Sequence, residues 1–277
     1  MATKPTRTAR TPAPPTSKDG RKRRASARGQ RGTPPRGPGA GIDRRLLFGG
    51  GLLALVVVVV LVAVSVGGGD DGGSAGGAIR GADESAALLE GIPQDGAFLG
   101  SPDAPVTLVE YGDLQCPFCA EWSAKSLPAV VDEYVRPGDV RLEFRGLTFL
   151  DAGLGTTDSD EALRAVLSAG EQNKLWNVLE LLYRNQGAEG SGWVTEDVVR
   201  RVGESVEGLD VEQFLAARAD DSVTTTIQEM AARADVSGVG GTPSFEAGST
   251  GRQLSRVEIT SLEPDGIRPT LDALLAG

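Results

Sequence analysis

The only two cysteines of this 277-residue chain stand three positions apart, in Cys116-Pro117-Phe118-Cys119, directly after an apolar run that reads as a strand. A pair at this spacing supports little besides thiol–disulfide chemistry. A structural zinc site needs four Cys or His ligands, and the chain offers two cysteines and no histidine. A fold-stapling disulfide gains most when it closes a long loop, and a 116–119 bridge closes almost none. The pair therefore reads as a redox dithiol. An inert pair and half of an intermolecular metal site are the competing readings.

The lack of histidine also removes Ser-His-Asp and Cys-His nucleophile systems, His-ligated metals and His pH switches. Chemistry must run on thiols, carboxylates, Tyr, Lys or Arg, with no metal or cofactor expected. Charge is unevenly spread. Residues 1–45 carry 13 Lys/Arg against two acids, a balance of +11, whereas the remainder carries 15 basic and 36 acidic residues, a balance of −21. So acidic a body argues against nucleic-acid binding there.

Four segments follow from the pattern. Residues 1–45 are rich in Pro, Thr, Arg and Gly without apolar periodicity, which predicts a disordered basic tail. Residues 46–66 are an uncharged run of 21, about the ~20 residues that a helix needs to cross a bilayer. Arg44 and Arg45 abut it, so the positive-inside rule makes it a single-pass anchor with a cytoplasmic N-terminus and an extracytoplasmic body. A cleaved leader is the alternative for the span, and nucleic-acid or anionic-lipid binding the alternative for the tail. Residues 67–95 open with GGGDDGGSAGG and read as a flexible linker; with no following Lys-Ser/Thr, a phosphate loop is rejected.

The body, residues 96–277, opens with a short edge segment at 97–99. The strand PVTLVEY at 105–111 follows, then the cysteines and a helix that Pro128 should kink. A second strand is expected at 140–144. A helical block then runs over about 155–235, with start signals at Ser159-Asp160-Glu161, Thr195 and Asp210, and with Trp176, Trp193 and Met230 as core. Strands at 243–246 and 253–259 and an amphipathic C-terminal helix close the chain. The order strand–Cys–helix–strand, helical block, strand–turn–strand–helix is α/β with a helical insertion.

A thiolate is the attacking species in disulfide exchange. At a helix start, Cys116 would meet unpaired N–H groups and the positive end of the dipole, which bring Cys-X-X-Cys thiols down to roughly 3.5–7.5. Pro117 suits the first turn, and Cys119 lies one turn on, placed to resolve a mixed disulfide. Glu110 precedes Cys116 by six residues; it is either a buried carboxyl that handles the Cys119 proton or a surface carboxylate. Thr242-Pro243 begins a strand after a glycine cluster. From the residues alone, Pro243 reads as an ordinary strand opener rather than a cis-proline.

VTLVEYGDLQCPFC, VRLEFR, AGEQNKLWNVLELLYRNQ and GVGGTPSF together resemble the DsbA-like thiol–disulfide oxidoreductases of the thioredoxin superfamily, in a membrane-anchored actinobacterial form. The resemblance covers roughly residues 97–275. It implies a thioredoxin fold with an inserted helical subdomain, preceded by one transmembrane helix. It implies Cys116 as attacking and Cys119 as resolving cysteine, Glu110 as the buried acid and Pro243 as a cis-proline against the dithiol. Thr242, Pro117 and Phe118 would then contact the substrate peptide. Phe118 replaces the histidine of strongly oxidising members, which predicts a potential nearer mid-range than the extreme of about −120 mV.

The function implied is exchange of disulfides with reduced or unfolded exported proteins, with a membrane quinone-linked partner resembling vitamin K epoxide reductase. Two alternatives stand beside it. One is a membrane-tethered reductase, for example in cytochrome c maturation; the other is a non-catalytic, chaperone-like binding module.

Overall fold

The computed structural model describes residues 77–277; the basic tail, the apolar span at 46–66 and the first part of the linker lie outside the described residues. Among the described residues no helix is long and apolar enough to cross a membrane.

The chain runs α1 (Ala82–Leu89), β1 (Gln94–Asp95), β2 (Phe98–Leu99), β3 (Val106–Gly112), α2 (Pro117–Lys125), α3 (Leu127–Val130) and β4 (Val140–Gly146). Helices α4 (Phe149–Leu154), α5 (Asp158–Gly170), α6 (Leu175–Arg184), α7 (Glu196–Glu204), α8 (Val211–Ala217) and α9 (Asp221–Val236) follow. The chain closes with β5 (Ser244–Ser249), β6 (Ser255–Val257) and α10 (Arg268–Leu275). The six strands form one sheet in the order β1-β2-β4-β3-β5-β6. Among the described residues only β3 and β4 pair in parallel, in the register Val106↔Val140 through Gly112↔Gly146. Such a pair needs a crossover, and the cysteine-bearing helix is in it.

Strand β3 is buried at all seven positions, as befits a central strand covered on both faces. Its β-branched and aromatic residues favour that environment. Its last residue faces a crowded helical layer: a Cβ on Gly112 would stand 2.7 Å from the Tyr183 hydroxyl of α6. Opposite it, a Cβ on Gly146 would overlap Leu163 of α5. Glycine in both strands at this C-terminal end of the parallel pair lets the helical insertion press onto the end of the sheet from which Cys116 emerges.

The expected kink lies where Pro128 removes a backbone donor. Helix α2 ends at Lys125, and Ser126 turns its hydroxyl to the Leu262 carbonyl at 2.7 Å. Beyond α3, one wide turn over Val131–Val135 completes the segment, with Arg136 N–H donating to Val131 O. Thr195 and Asp210 cap α7 and α8 through their side chains, as the start signals predicted. Met230 and Trp176 are core, and Trp193 packs against it from a half-buried position.

Two expectations change. The linker predicted through residue 95 gives way to α1, which buries Ser85 and Leu89. Arg136 holds the end of that helix by donating to the carbonyls of Leu88 and Glu90, both at 2.8 Å. The segment at 97–99 is not the sheet edge, because β1 pairs outside it.

Trp176 ties the insertion to the sheet. Its indole N–H donates to Ala97 O at 3.1 Å, its backbone N–H to Gln94 Oε1, and its ring meets Phe144 edge-on at 6.3 Å. Trp176→Ala should therefore lower unfolding stability by about 3–5 kcal/mol, read as a drop in the urea midpoint with an unchanged slope.

Candidate active site

Cys116 occupies the cap position before α2, in an extended conformation, with Pro117 in the first helical turn. The backbone is fixed on both sides: Cys116 N–H donates to Asp113 O, and its carbonyl accepts from the N–H groups of Cys119 and Ala120. Gln186, just after α6 in the insertion, adds a clamp, its side-chain amide donating to Leu114 O at 2.7 Å and Cys116 O at 3.1 Å. Gln115, fully buried, binds Asp151 and Ser159 through its amide nitrogen and the Gly190 N–H through its oxygen. These clamps span long sequence separations and leave no local motif in the sequence.

The two thiols differ sharply in environment. Cys116 keeps 5% of its surface exposed and Cys119 none. Both are free thiols. The Cys116 thiol is brought down to about 6, chiefly by the hydrogen bond from Cys119 and against the opposing effect of burial. The Thr242 side chain and the N–H groups of Cys119 and Phe118 lower it further. Cys119 moves well above the ordinary thiol range, first through burial and then because it donates to its neighbour. One thiol is thus prepared to ionise while the other holds its proton.

The Thr242–Pro243 bond is cis, which corrects the reading of Pro243 as an ordinary strand opener and agrees with what the resemblance implied. Thr242 O lies 3.3 Å from Cys116 Sγ and accepts from the thiol. Phe118 stands 59% exposed and Pro117 is exposed beside it, while Phe245 packs its ring 4.5 Å from Trp122 beneath the dithiol. The structure thus brings Cys116, Cys119, Pro117, Phe118, Thr242 and Pro243 to one place.

Glu110 lies under them. It is buried on β3, between Phe144 of β4 and Phe245 of β5 in the sheet register. Burial, then the charge of Glu180, pushes its carboxyl up to about 8. The Trp122 indole N–H offsets this in part without reaching hydrogen-bonding geometry. The surface-carboxylate reading of Glu110 is therefore set aside. Glu180, buried on α6 and pushed up to about 7 by desolvation, is a second acid that the sequence reading did not single out.

Residues 93–260 match the sequence profile of the family described as Thioredoxin. The chain belongs to the thioredoxin family. It is 32% identical over 149 residues to a probable disulfide bond formation protein D of Bacillus cereus, spanning 53% of this chain and 67% of that protein. With disulfide bond formation protein D of Bacillus subtilis it shares 29% over 135 residues, or 45% of this chain and 59% of the relative. The matches thus span about two thirds or less of these relatives' own length. Its fold is similar to that of oxidised BdbD from Bacillus subtilis, with a TM-score of 0.56 and 22% identity over 67% of this chain and 98% of BdbD. Within the family the chain is a DsbA-like thiol–disulfide oxidoreductase.

Alkylation of the reduced protein should rise with pH to a plateau, with its midpoint near 6, and Cys116→Ser should abolish it; iodoacetamide labelling followed by mass spectrometry reads both. Glu110 gives the opposite dependence. Its folded value of about 8 stands above an unfolded value of ~4.3. The neutral form's contribution is therefore complete below pH ~4.3 and lost as pH rises through 8. Glu110→Gln should leave the melting temperature near wild type at pH 4 and raise it by roughly 2–4 °C at pH 8.

Proposed function

We propose that this oxidoreductase works outside the cytoplasm, oxidising cysteine pairs of exported proteins through Cys116 and Cys119. The observation that carries the reading is the asymmetry of the dithiol: a Cys116 thiol near 6 at the helix start, with a small exposed face, backed by a fully buried Cys119 that keeps its proton. In the oxidised enzyme, a client thiolate attacks Cys116 Sγ. The Cys116–Cys119 bond breaks, and Cys119 leaves as a thiolate that takes up a proton. A second client thiolate then attacks the client sulfur of the mixed disulfide and releases Cys116 as its stabilised thiolate. The client loses two electrons, which the enzyme holds as a dithiol.

Thr242 and Pro243 supply the edge along which an extended client lies, and the exposed Phe118 ring with Pro117 supplies apolar contact. Glu110 takes and returns the Cys119 proton. The relatives' names, bacterial disulfide bond formation proteins, support oxidation of exported clients. A single-pass anchor at 46–66 would hold the enzyme beside a membrane quinone-linked partner, resembling vitamin K epoxide reductase, that draws off the electrons. A Cys116 value between the ~7 of thioredoxin and the ~3.5 of the most oxidising relatives supports a mid-range potential.

Acid trapping of thiols in the native membrane tests the direction. The Cys116–Cys119 pair should be recovered mostly as a disulfide; recovery mostly as a dithiol would make the enzyme a reductase. In parallel, Cys116→Ser should abolish oxidation of reduced, unfolded RNase.

A further inference from the structure

Behind the dithiol, polar atoms with unused hydrogen-bonding capacity gather in one buried region. Glu110 Oε1, Tyr183 Oη, Trp122 Nε1 and Glu180 Oε2 are all buried without a hydrogen-bond partner. Glu110 Oε1 and Tyr183 Oη converge on the same point, 3.4 Å and 2.7 Å from where a Cβ of Gly112 would stand. On α2, Ser123 follows Cys119 by one helical turn and so shares its face. Its hydroxyl donates to Glu180 Oε1 at 2.5 Å. On α6, Arg184 Nε approaches Glu180 Oε2 at 3.4 Å, and the Arg184 side chain is 26% exposed while that of Glu180 is not exposed at all. Glu110 is coupled electrostatically to Cys119 and to Glu180, and Glu180 leads through its contacts with Ser123 and Arg184 toward the surface.

Glu110 has little direct access to solvent: it is buried between two aromatic residues in the sheet register, and its Oε1 has no hydrogen-bond partner. The geometry points to Glu180 as a positioning residue that relays the Cys119 proton between Glu110 and solvent at Arg184. Glu180 does not touch the reacting sulfurs and acts only through Glu110. In the resolving step, Cys119 gives its proton to the Glu110 carboxylate. Its thiolate then attacks Cys116, the new bond is Cys116–Cys119, and the captured thiol leaves with the electron pair of the broken mixed disulfide. Glu110 returns to its carboxylate by passing a proton to Glu180, which releases it beside Arg184; the reverse reaction runs the path backward.

Two buried carboxyls suit this exchange because burial keeps both raised, Glu110 with no cation acting on it and Glu180 despite Arg184 at 3.4 Å. The charge of Glu180 opposes ionisation of Glu110. The other ionisable groups facing them are Cys116, Cys119, Tyr183 and Asp113 on the acidic side and Arg184 as the cation. The relay rests on exchange at Cys116 and Cys119 but not on its direction.

The test uses the purified full chain, reduced, with glutathione disulfide as oxidant between pH 5.5 and 9, and acid quenching to follow the mixed disulfide. Glu180→Gln keeps an acceptor for the Ser123 hydroxyl but cannot carry the proton. It should slow resolution of the mixed disulfide roughly tenfold near pH 7 and flatten its pH profile, and Glu180→Asp should restore most of the rate. Capture of glutathione by Cys116 should keep its wild-type rate. Equal resolution rates and profiles in wild type and folded Glu180→Gln would overturn the relay.

Should that variant not fold, Ser123→Ala decides. The Ser123 hydrogen bond lowers the Glu180 titration, so its loss should move the rising limb of resolution to higher pH, and an unmoved limb overturns the proposal. If wild type itself forms no mixed disulfide, the exchange reading fails rather than the relay.

Discussion

The hydrogen bond from Cys119 to the Cys116 sulfur is the interaction on which the rest of the site depends. It is the largest influence bringing Cys116 down, and it helps to hold Cys119 up. It works because Cys116 sits at the helix start with a small exposed face, while Cys119 lies one turn inside the core with none. At the start of α2, Cys116 meets free backbone N–H groups; one turn in, Cys119 is surrounded by core. Moving the helix start by a residue would give both thiols the same environment and remove the difference. The fold therefore fixes that start heavily, with Pro117 in the first turn and the Gln186 clamp on the Cys116 carbonyl.

The sequence carried the site better than its support. The dithiol, its helix and the strand before it were legible because their signals are local: an apolar β-branched run, a Cys pair, a proline suited to a first turn. Thr242-Pro243 was legible only through the family resemblance, since the residues alone favoured an ordinary strand opener and the bond is cis. Helix α1 was hidden because its flanks are glycine-rich, and what holds its end is Arg136, 46 and 48 residues away. Gln115 and Gln186 gave no signal, because an amide becomes a clamp only when distant backbone meets it. Glu180 did leave a trace. It is a carboxylate inside LWNVLELLYR, four residues after Trp176 and three before Tyr183, both core residues. An acid on the buried stripe of a helix is the kind of residue a periodicity reading can find.

The histidine-free composition acquires a physical meaning at this point. An oxidoreductase must still hold and move the proton of its resolving thiol, and with no imidazole the candidates are carboxyls whose affinity for protons has been raised. Desolvation does that here. Glu110 at about 8 and Glu180 at about 7 lie at and just above neutrality, the range in which a proton carrier works best.

Adjacent residues of β3 show that this burial is not a by-product of the fold. Successive side chains on a strand point to opposite faces, so Glu110 looks toward α6 and Tyr111 away from it. On the Tyr111 face, Arg145 donates to Glu143 at 2.7 Å and to the Tyr111 hydroxyl at 2.7 Å, and reaches Glu246 at 3.4 Å. Acids on that face are matched by a guanidinium at the centre of the cluster. On the Glu110 face, Glu180 has Ser123 and Arg184 beside it, whereas Glu110 itself has no cation acting on it and its Oε1 no hydrogen-bond partner. An unpaired buried carboxyl destabilises a fold by an amount that a partner or an apolar side chain would avoid. The same sheet solves the problem on one face and leaves it unsolved on the other. The unsolved face is the one that holds the dithiol, which is where a destabilising group earns its retention by chemistry rather than by packing.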